Sequence, residues 1–345
     1  MVEGLTVDSA GGSILRGVDL ALAPGTVTGI VGESGCGKST LGLAVLGLLG
    51  RDRWITGGAV TFHGEVVGAP GLDRTGPLRG RRIGYVPQDP FRALDPLRRV
   101  GAQVRRPLQV HQGLDADAAD ARLRELLARL GVPEPERVMA AYPHELSGGM
   151  LQRATIAGAL ACGPELVIAD EPTTALDALV QVQVIEAFLG LVRDLGTAVL
   201  VITHDLRLLR RAADRVAAMY AGKVVEFGVR EDVLERPRHP YPAALRAASV
   251  LRTEPGGRVP TIDGQPPTLP GAFLPCAFAP RCPRATDVCR TVEPRYAWPA
   301  EHGYACHHPL GGAADTREIG TAADPGTAAD PGTAADPDTP REPAA

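Results

Sequence analysis

A glycine-rich segment lies between two apolar segments near the start of the chain. Residues 26–32 read TVTGIVG, which predicts a buried strand, and residues 39–49 read STLGLAVLGLL, which predicts a helix. The segment from Gly32 to Ser39 fits the pattern G-x-x-x-x-G-K-[ST], in which main-chain N–H groups surround phosphates. A strand, this loop and a helix in that order predict an α/β domain that binds a nucleotide.

The residue types of this loop have defined uses in phosphate chemistry. We expect Lys38 to neutralise the β- and γ-phosphates of ATP and Ser39 to give its hydroxyl oxygen to Mg²⁺. The start of the following helix adds a partial positive charge. The other expected nucleotide contacts come from the loop and the first helical turn: Gly32, Glu33, Ser34, Gly35, Cys36, Gly37 and Thr40.

A second apolar segment ends in two carboxylates. Residues 166–171 read LVIADE, so a buried strand delivers Asp170 to the expected magnesium, and Glu171 can polarise an attacking water. Alone, a strand that ends in Asp-Glu is weak evidence, because strands often end in acidic turns. Downstream of a phosphate loop it predicts hydrolysis of a nucleoside triphosphate.

Several short motifs resemble those of the ATP-binding cassette (ABC) ATPases. ELSGGM, residues 145–150, precedes an apolar helix and resembles the signature motif of that family. Gln88 lies where the family has its Q-loop, Ala175 to Asp177 resembles the D-loop, and His204 resembles the switch histidine. The motifs occur in family order over about residues 26–230.

This resemblance implies a fold and the roles of single residues. The implied fold is an α/β P-loop NTPase with a RecA-like core, an antiparallel β-subdomain and a helical subdomain that carries the signature. The implied catalytic residues are Glu171, His204 and Gln88, and the implied Mg²⁺ ligands are Ser39, Gln88 and Asp170. The residues implied to face nucleotide held by a second cassette are Ser147, Gly148, Gly149 and Asp177.

One departure from the family concerns the adenine base. Cassettes usually carry an aromatic residue near the N-terminus that stacks on adenine, but residues 1–25 contain no Phe, Tyr, Trp or His. We expect adenine to rest on a smaller side chain such as Val7 or Ile14, or on a group from elsewhere.

The C-terminal third of the chain has a different composition. RHPYPAAL, residues 238–245, resembles the HPY motif of cassettes from oligopeptide, dipeptide and nickel importers. We therefore expect a cassette over residues 1–230 and a small Cys/Pro-rich module over residues 231–310. Residues 311–345 are expected to be a disordered low-complexity tail, because the repeated unit GTAADP has nothing to bury.

The expected C-terminal module contains Cys276, Cys282, Cys289 and Cys306, without any C-x-x-C pair. Such a group of thiols can enclose an iron–sulfur cluster or Zn²⁺. Some relatives with this tail resemble [4Fe–4S] carriers, so we favour that cluster. A zinc site that adds His302, His307 or His308, and a set of reduced structural thiols, remain open.

Composition and charge exclude several classes of function. The formal net charge is −4, so bulk positive charge cannot hold a nucleic acid. The longest apolar segments are too short to span a membrane. The first twelve residues lack the basic and apolar regions of a secretory signal.

The expected function is that of the ATP-binding and hydrolysing subunit of a membrane ABC importer for peptides or a related small solute, with nickel as one option. The expected partners are a second cassette, by subfamily a paralogue, two permease subunits and, indirectly, a solute-binding protein, with no nucleic acid. The expected location is the cytoplasmic face of the cell membrane, as a peripheral protein. The alternatives are a soluble ABC-type ATPase that acts on ribosomes or DNA, and a nucleotide-binding regulator without turnover.

Overall fold

The computed structural model describes residues 1–174, 176–249, 261–271, 273–296 and 301–311. Ala175 of the expected D-loop lies outside the described residues. Apart from Gly311, so does the tail that was expected to be disordered.

The described residues form two sheets and the helices that cover them. The strands are β1 (Val2–Ser9), β2 (Gly12–Leu20), β3 (Val27–Val31), β4 (Arg53–Phe62), β5 (Glu65–Ala69), β6 (Leu72–Asp73), β7 (Ile83–Val86), β8 (Leu166–Asp170), β9 (Ala198–Thr203), β10 (Arg215–Tyr220), β11 (Lys223–Val229) and β12 (Gly303–Tyr304). The helices are α1 (Lys38–Leu46), α2 (Pro90–Ala93), α3 (Val100–Val104), α4 (Arg106–Gln112), α5 (Ala116–Arg129), α6 (Pro135–Ala140), α7 (Gly148–Leu160), α8 (Ala178–Leu195), α9 (Leu206–Ala212), α10 (Arg230–Leu234), α11 (Pro240–Ser249) and α12 (Asp287–Thr291).

The larger sheet has the order β12-β11-β10-β3-β9-β8-β7, and its strands from β10 to β7 are parallel. Every residue of β3, β8 and β9 is buried, because parallel strands are covered by helices on both faces. The short continuous apolar segments of the sequence predicted this core. The carboxyl ends of β3 and β8 meet at one edge of the sheet, which places the glycine-rich loop beside Asp170.

The smaller sheet is antiparallel throughout, in the order β2-β1-β4-β5-β6. It is the antiparallel β-subdomain that the resemblance implied, and β4 and β5 form a hairpin within it. Its inner face contributes fully buried Leu5, Val7 and Leu15 to a second core cluster together with Leu41 of α1. The phosphate loop is therefore supported by both sheets.

Helices α2 to α7 form the helical subdomain between β7 and β8. The longest of them is α5, and the Asp115 side chain accepts the N–H of Ala118 at its start. Its apolar stripe, Leu123, Leu126 and Leu127, is fully buried. The α/β P-loop NTPase fold with these subdomains is confirmed.

The chain beyond β11 packs back onto the cassette. Strand β12 pairs with β11 at the edge of the larger sheet, where Tyr304 lies opposite Glu226. Phe278 from the cysteine-rich segment is 2% exposed and belongs to the main core cluster. Within the described ranges, no helix is both long enough and apolar enough to cross a membrane.

Candidate nucleotide site

The glycine-rich loop turns sharply between β3 and α1, and two of its glycines have a steric reason. A Cβ atom at Gly32 would lie 2.2 Å from the main-chain oxygen of Met219. Gly37 has a φ of 102°, and a Cβ there would lie 2.9 Å from Leu15 Cδ2. Only glycine lets the backbone pass this close to β2 and β10 in that conformation.

The ammonium group of Lys38 lies inside the loop. Its Nζ donates to the carbonyl oxygens of Gly32 at 2.8 Å and Glu33 at 2.9 Å, and the residue is 6% exposed. Cys36 is buried beside it, and burial raises the pKa of its thiol. The loop therefore already encircles a positive charge, as a phosphate-binding cradle requires.

Ser39 and Asp170 meet at the carboxyl end of the parallel sheet. The Ser39 hydroxyl donates to Asp170 Oδ1 at 3.1 Å. Burial raises the pKa of Asp170, and the neighbouring Glu171 carboxylate adds to the rise. A hydroxyl and a carboxylate are hard oxygen donors that fit Mg²⁺, and the ion's charge would offset the burial of Asp170. The residues present therefore fit the expected ion.

Glu171 is the centre of a hydrogen-bonded group. Its carboxylate accepts hydrogen bonds from Gln88 Nε2 at 3.2 Å and from the Thr174 hydroxyl at 2.8 Å, and lies 3.0 Å from His204 Nδ1. Burial alone would raise the pKa of Glu171, but the hydrogen bonds from His204 and Thr174 outweigh it and lower the pKa. The carboxylate is therefore ionised near neutral pH.

The backbone at Glu171 is in the left-handed region, with a φ of 45°. This conformation costs a non-glycine residue about 1–3 kcal/mol and persists only where the surroundings impose it. Here the Glu171 N–H donates to the Ile202 carbonyl at 2.8 Å, which fixes the turn at the end of β8. At this turn the Glu171 carboxylate contacts Gln88 and His204.

The signature residues lie at a helix start. The Ser147 side chain accepts the N–H of Met150 at 3.3 Å and caps α7, whose first residues are Gly148 and Gly149. Asp177 caps α8 in the same way, at 3.1 Å from the Val180 nitrogen. In the described part of the chain, no hydrogen bond joins Ser147 or Asp177 to the phosphate loop. Within this chain, the structural role of both side chains is to cap a helix.

The two small residues that were expected to support adenine have little exposed surface. Val7 is fully buried and Ile14 is 9% exposed. The C-terminal segment reaches the turn beside them, because a Cβ at Gly11 would lie 2.8 Å from Pro270 Cγ. Further along β2, the Arg16 guanidinium lies 4.5 Å from the centre of the Phe273 ring.

The expected metal site at the four C-terminal cysteines is not supported. Among the described residues, no group of three or more His, Cys, Asp or Glu side chains is arranged to hold a metal ion. The thiols are engaged locally instead: the His308 N–H donates to Cys306 Sγ at 3.4 Å, and the Thr286 hydroxyl lies 3.9 Å from Cys289 Sγ. Burial raises the pKa of Cys306 to about 11, and nearby thiols add to the rise.

The structure therefore brings together Lys38, Ser39, Asp170, Glu171, Gln88 and His204, and leaves Ser147, Gly148, Gly149 and Asp177 apart from them. Sequence reasoning missed three residues that touch this site. Thr174 bonds Glu171, whereas Tyr241 and Arg281 bond Glu33. Only Tyr241 had a signal in the sequence, as part of the HPY motif.

Comparisons with known proteins agree with this geometry. The family model described as ABC transporter matches residues 15–174, and the model described as oligopeptide/dipeptide transporter, C-terminal region, matches residues 225–289. A dimeric ATP-binding cassette solved in a post-hydrolysis state with ADP and Pi is similar over 66% of this chain and 97% of that one, with a TM-score of 0.58 at 28% identity.

Curated relatives are more similar in sequence. A probable peptide ABC transporter ATP-binding protein of Sinorhizobium fredii is 43% identical over 81% of this chain and 84% of its own length. The oligopeptide transport ATP-binding protein of Salmonella typhimurium is 40% identical over 85% and 87%, and the dipeptide transport ATP-binding protein of Escherichia coli is 39% identical over 86% and 91%. These relatives give no support to an ATPase that acts on ribosomes or DNA. The chain belongs to the ABC transporter family as an ATP-binding and ATP-hydrolysing subunit, in the group that carries the oligopeptide/dipeptide transporter C-terminal region.

Proposed function

We propose that this chain powers the import of peptides, or of a related small solute such as nickel, through a membrane ABC transporter. The observation that supports ATP hydrolysis is the arrangement around Glu171. Its carboxylate contacts Gln88, Thr174 and His204, next to the Ser39–Asp170 pair. The proposal that the solute is a peptide is supported by the C-terminal region shared with transport proteins for oligopeptides and dipeptides.

The chemistry follows from the positions of the side chains. Main-chain N–H groups of the phosphate loop hold the phosphates, apart from that of Glu33, which donates to Tyr241, and Lys38 neutralises the β- and γ-phosphates. Mg²⁺, when bound, offsets negative charge on the phosphate oxygens, and Ser39, Asp170 and Gln88 would hold it. Glu171 accepts a proton from the attacking water, because its lowered pKa keeps it ionised. His204 holds that carboxylate in place and reaches toward the terminal phosphate.

The second half of the nucleotide site comes from another cassette. Ser147, Gly148 and Gly149 start a helix of thirteen residues, so its first N–H groups and dipole favour an anion. Among the described residues, no hydrogen bond joins this surface or Asp177 to the phosphate loop of the same chain, which supports use against the nucleotide of a partner. By subfamily we propose that the partner is a paralogue.

The remaining partners follow from the same proposal. Two permease subunits receive the motion of the cassette pair through the surface near Gln88, and a solute-binding protein acts upstream of them. The chain would then lie at the cytoplasmic face of the membrane as a peripheral subunit. The proposal includes no iron–sulfur cluster or zinc site, since the described side chains form no ligand group.

Uptake measurements test the proposal. In cells that lack this gene, we expect uptake of labelled di- and oligopeptides to fall, and to return with the wild-type gene but not with Lys38→Ala. A loss of nickel uptake alone would narrow the solute to nickel. Unchanged uptake of peptides and nickel would contradict the proposed role in import.

A further inference from the structure

Two residues of the C-terminal module hold one residue of the phosphate loop. That residue is Glu33, which follows Gly32 at the end of β3. Its main-chain N–H donates to the Tyr241 hydroxyl at 2.8 Å. Its carboxylate accepts two hydrogen bonds from Arg281, from Nη1 at 2.6 Å and from Nη2 at 3.0 Å. Its carbonyl accepts from Lys38 Nζ at 2.9 Å. The same residue therefore connects the C-terminal module to the phosphate-binding lysine.

The contact between Arg281 and Glu33 is a partly buried ion pair. The Arg281 side chain is 4% exposed and the Glu33 side chain 23%. The remaining donors of the guanidinium are engaged as well, by the Asp263 carbonyl at 2.9 Å, the Ile262 carbonyl at 3.2 Å and the Tyr220 hydroxyl at 3.3 Å. A bidentate ion pair in which every guanidinium donor is satisfied fixes the orientation of the two side chains as well as their distance.

Tyr241 is held as firmly as Arg281. Its side chain is fully buried, and its ring centre lies 4.6 Å from that of Tyr220 and 5.4 Å from that of Phe278. Tyr220 ends β10 and Phe278 comes from the cysteine-rich segment, so the hydroxyl is aimed from a rigid aromatic cluster. Side chains this closely packed have little freedom to follow a displaced loop.

The HPY segment that carries Tyr241 is fixed by a buried carboxylate. Glu226 of β11 accepts the main-chain N–H groups of Arg238 at 2.8 Å and His239 at 2.7 Å. His239 in turn accepts the Tyr241 N–H on Nδ1 at 3.0 Å. A continuous series of hydrogen bonds thus runs from the sheet to the phosphate loop.

We propose that Tyr241 and Arg281 are positioning residues that hold Glu33, and with it the phosphate loop, in the conformation that accepts ATP. The affinity of the cassette for ATP therefore depends on its C-terminal module. This inference rests on the proposed use of residues 32–40 as the ATP site. It gives the HPY motif a physical purpose, because the tyrosine hydroxyl is the acceptor for the first N–H after Gly32.

The first test removes single groups and measures ATP affinity on the full chain by calorimetry. Tyr241→Phe deletes only the hydroxyl, so we expect the Kd for ATP to rise roughly 2- to 10-fold, the factor for one neutral hydrogen bond. Arg281→Gln leaves the Glu33 carboxylate unpaired, so we expect a rise of roughly 10- to 100-fold, with partial recovery in Arg281→Lys. The matched control is Tyr304→Phe, because Tyr304 lies in the same module but packs against His302 and Arg238.

The second test separates positioning from loss of stability. In the assembled transporter, Tyr241→Phe should raise the KM for ATP while kcat at saturating ATP is retained, and the Tm should match that of Tyr304→Phe. The effects of Glu33→Gln and Arg281→Gln should not add in the double variant, because both remove one interaction.

Lys38→Ala distinguishes failure of this inference from failure of the proposed site. If Lys38→Ala loses ATP affinity but Tyr241→Phe and Arg281→Gln keep the wild-type Kd, the positioning role is wrong and the ATP site stands. If Lys38→Ala also keeps the wild-type Kd, the proposed ATP site itself is wrong. Additive effects of Glu33→Gln and Arg281→Gln would also overturn the positioning role.

Discussion

Lys38 shows how single residues of the proposed site are prepared for their substrate. Its ammonium group is buried and bound by two carbonyl oxygens of the loop, which are weaker partners than phosphate oxygens. When ATP binds, charged phosphate oxygens can therefore replace the neutral carbonyl oxygens as acceptors for Lys38. The ammonium group is already buried, so its removal from water adds no further cost. Glu171 is prepared in a different way: it lies at a left-handed turn, and its carboxylate is held by contacts with Gln88 and His204.

Lys38→Ala is expected to reduce the affinity for ATP itself. The lysine would neutralise phosphate charge in the bound state as well as during hydrolysis, so its loss raises the Kd and not only the rate barrier. Calorimetric titration of the purified chain with Mg·ATP checks this, and circular dichroism shows whether the variant is folded. A folded variant with the wild-type Kd would mean that the loop does not bind the phosphates.

The residues of the site differ in how far the sequence predicts them. Residues 32–40 and the pair Asp170–Glu171 are contiguous motifs, so the local sequence pattern was sufficient to predict them. The partners of Glu33 are not local: Tyr241 is 208 positions away and Arg281 is 248 positions away. No periodicity or spacing encodes such a pair, since it depends on how the C-terminal module docks on the sheet.

At the scale of elements, the local sequence predicts the buried strands but not the arrangement of the cysteine-rich segment. Strands β3 and β8 were predicted because a parallel strand buried on both faces must be apolar throughout. The grouping of Cys276, Cys282, Cys289 and Cys306 and the resemblance to [4Fe–4S] carriers favoured a metal site, but a group of cysteines in the sequence does not fix where the thiols point. The fold gives Cys289 and Cys306 local hydrogen-bond partners instead.

The segment from β11 to α11 leads to a prediction on pH and stability. Burial lowers the pKa of His239 to about 3 from its usual value near 6.5. Between these values the unfolded chain binds a proton that the folded chain excludes, so the stability from the neutral form is lost as the pH falls from about 6.5 toward 3. We expect His239→Gln to flatten the dependence of the free energy of unfolding on pH in this window.

Denaturant unfolding of both proteins at a series of pH values is the measurement. Glu226 faces His239, and burial raises the pKa of that carboxylate, which acts in the opposite direction on stability. Because Glu226 is present in both proteins, the difference between the two curves isolates His239. Parallel curves would show that His239 does not change its protonation between the folded and unfolded states in this range.

At the scale of the whole molecule, the chain has one phosphate loop and one signature helix that do not meet. Ser147 at the start of α7 would face a nucleotide only when a second cassette is present. We expect Ser147→Arg to leave the Kd for ATP of the isolated chain unchanged and to suppress hydrolysis by the cassette pair, because a long cation blocks closure.

Asp115→Ala is the matched control, because it removes a helix cap worth about 1 kcal/mol at the start of α5, where no nucleotide contact is expected. ATPase assays of the assembled pair, with the arginine placed in one or in both cassettes, are the measurement. Normal hydrolysis with arginine in both signatures would contradict the composite site.

The proposed role of Glu171 as the base for the attacking water is tested most directly by Glu171→Gln in the assembled transporter. We expect ATP hydrolysis to fall roughly 10²- to 10⁴-fold, the usual contribution of a positioned base, while the Kd for ATP is retained. Glu165→Gln is the control, because Glu165 lies just before the other end of β8 and pairs with His63 and Arg82. Turnover by Glu171→Gln equal to that of Glu165→Gln would contradict the role of Glu171.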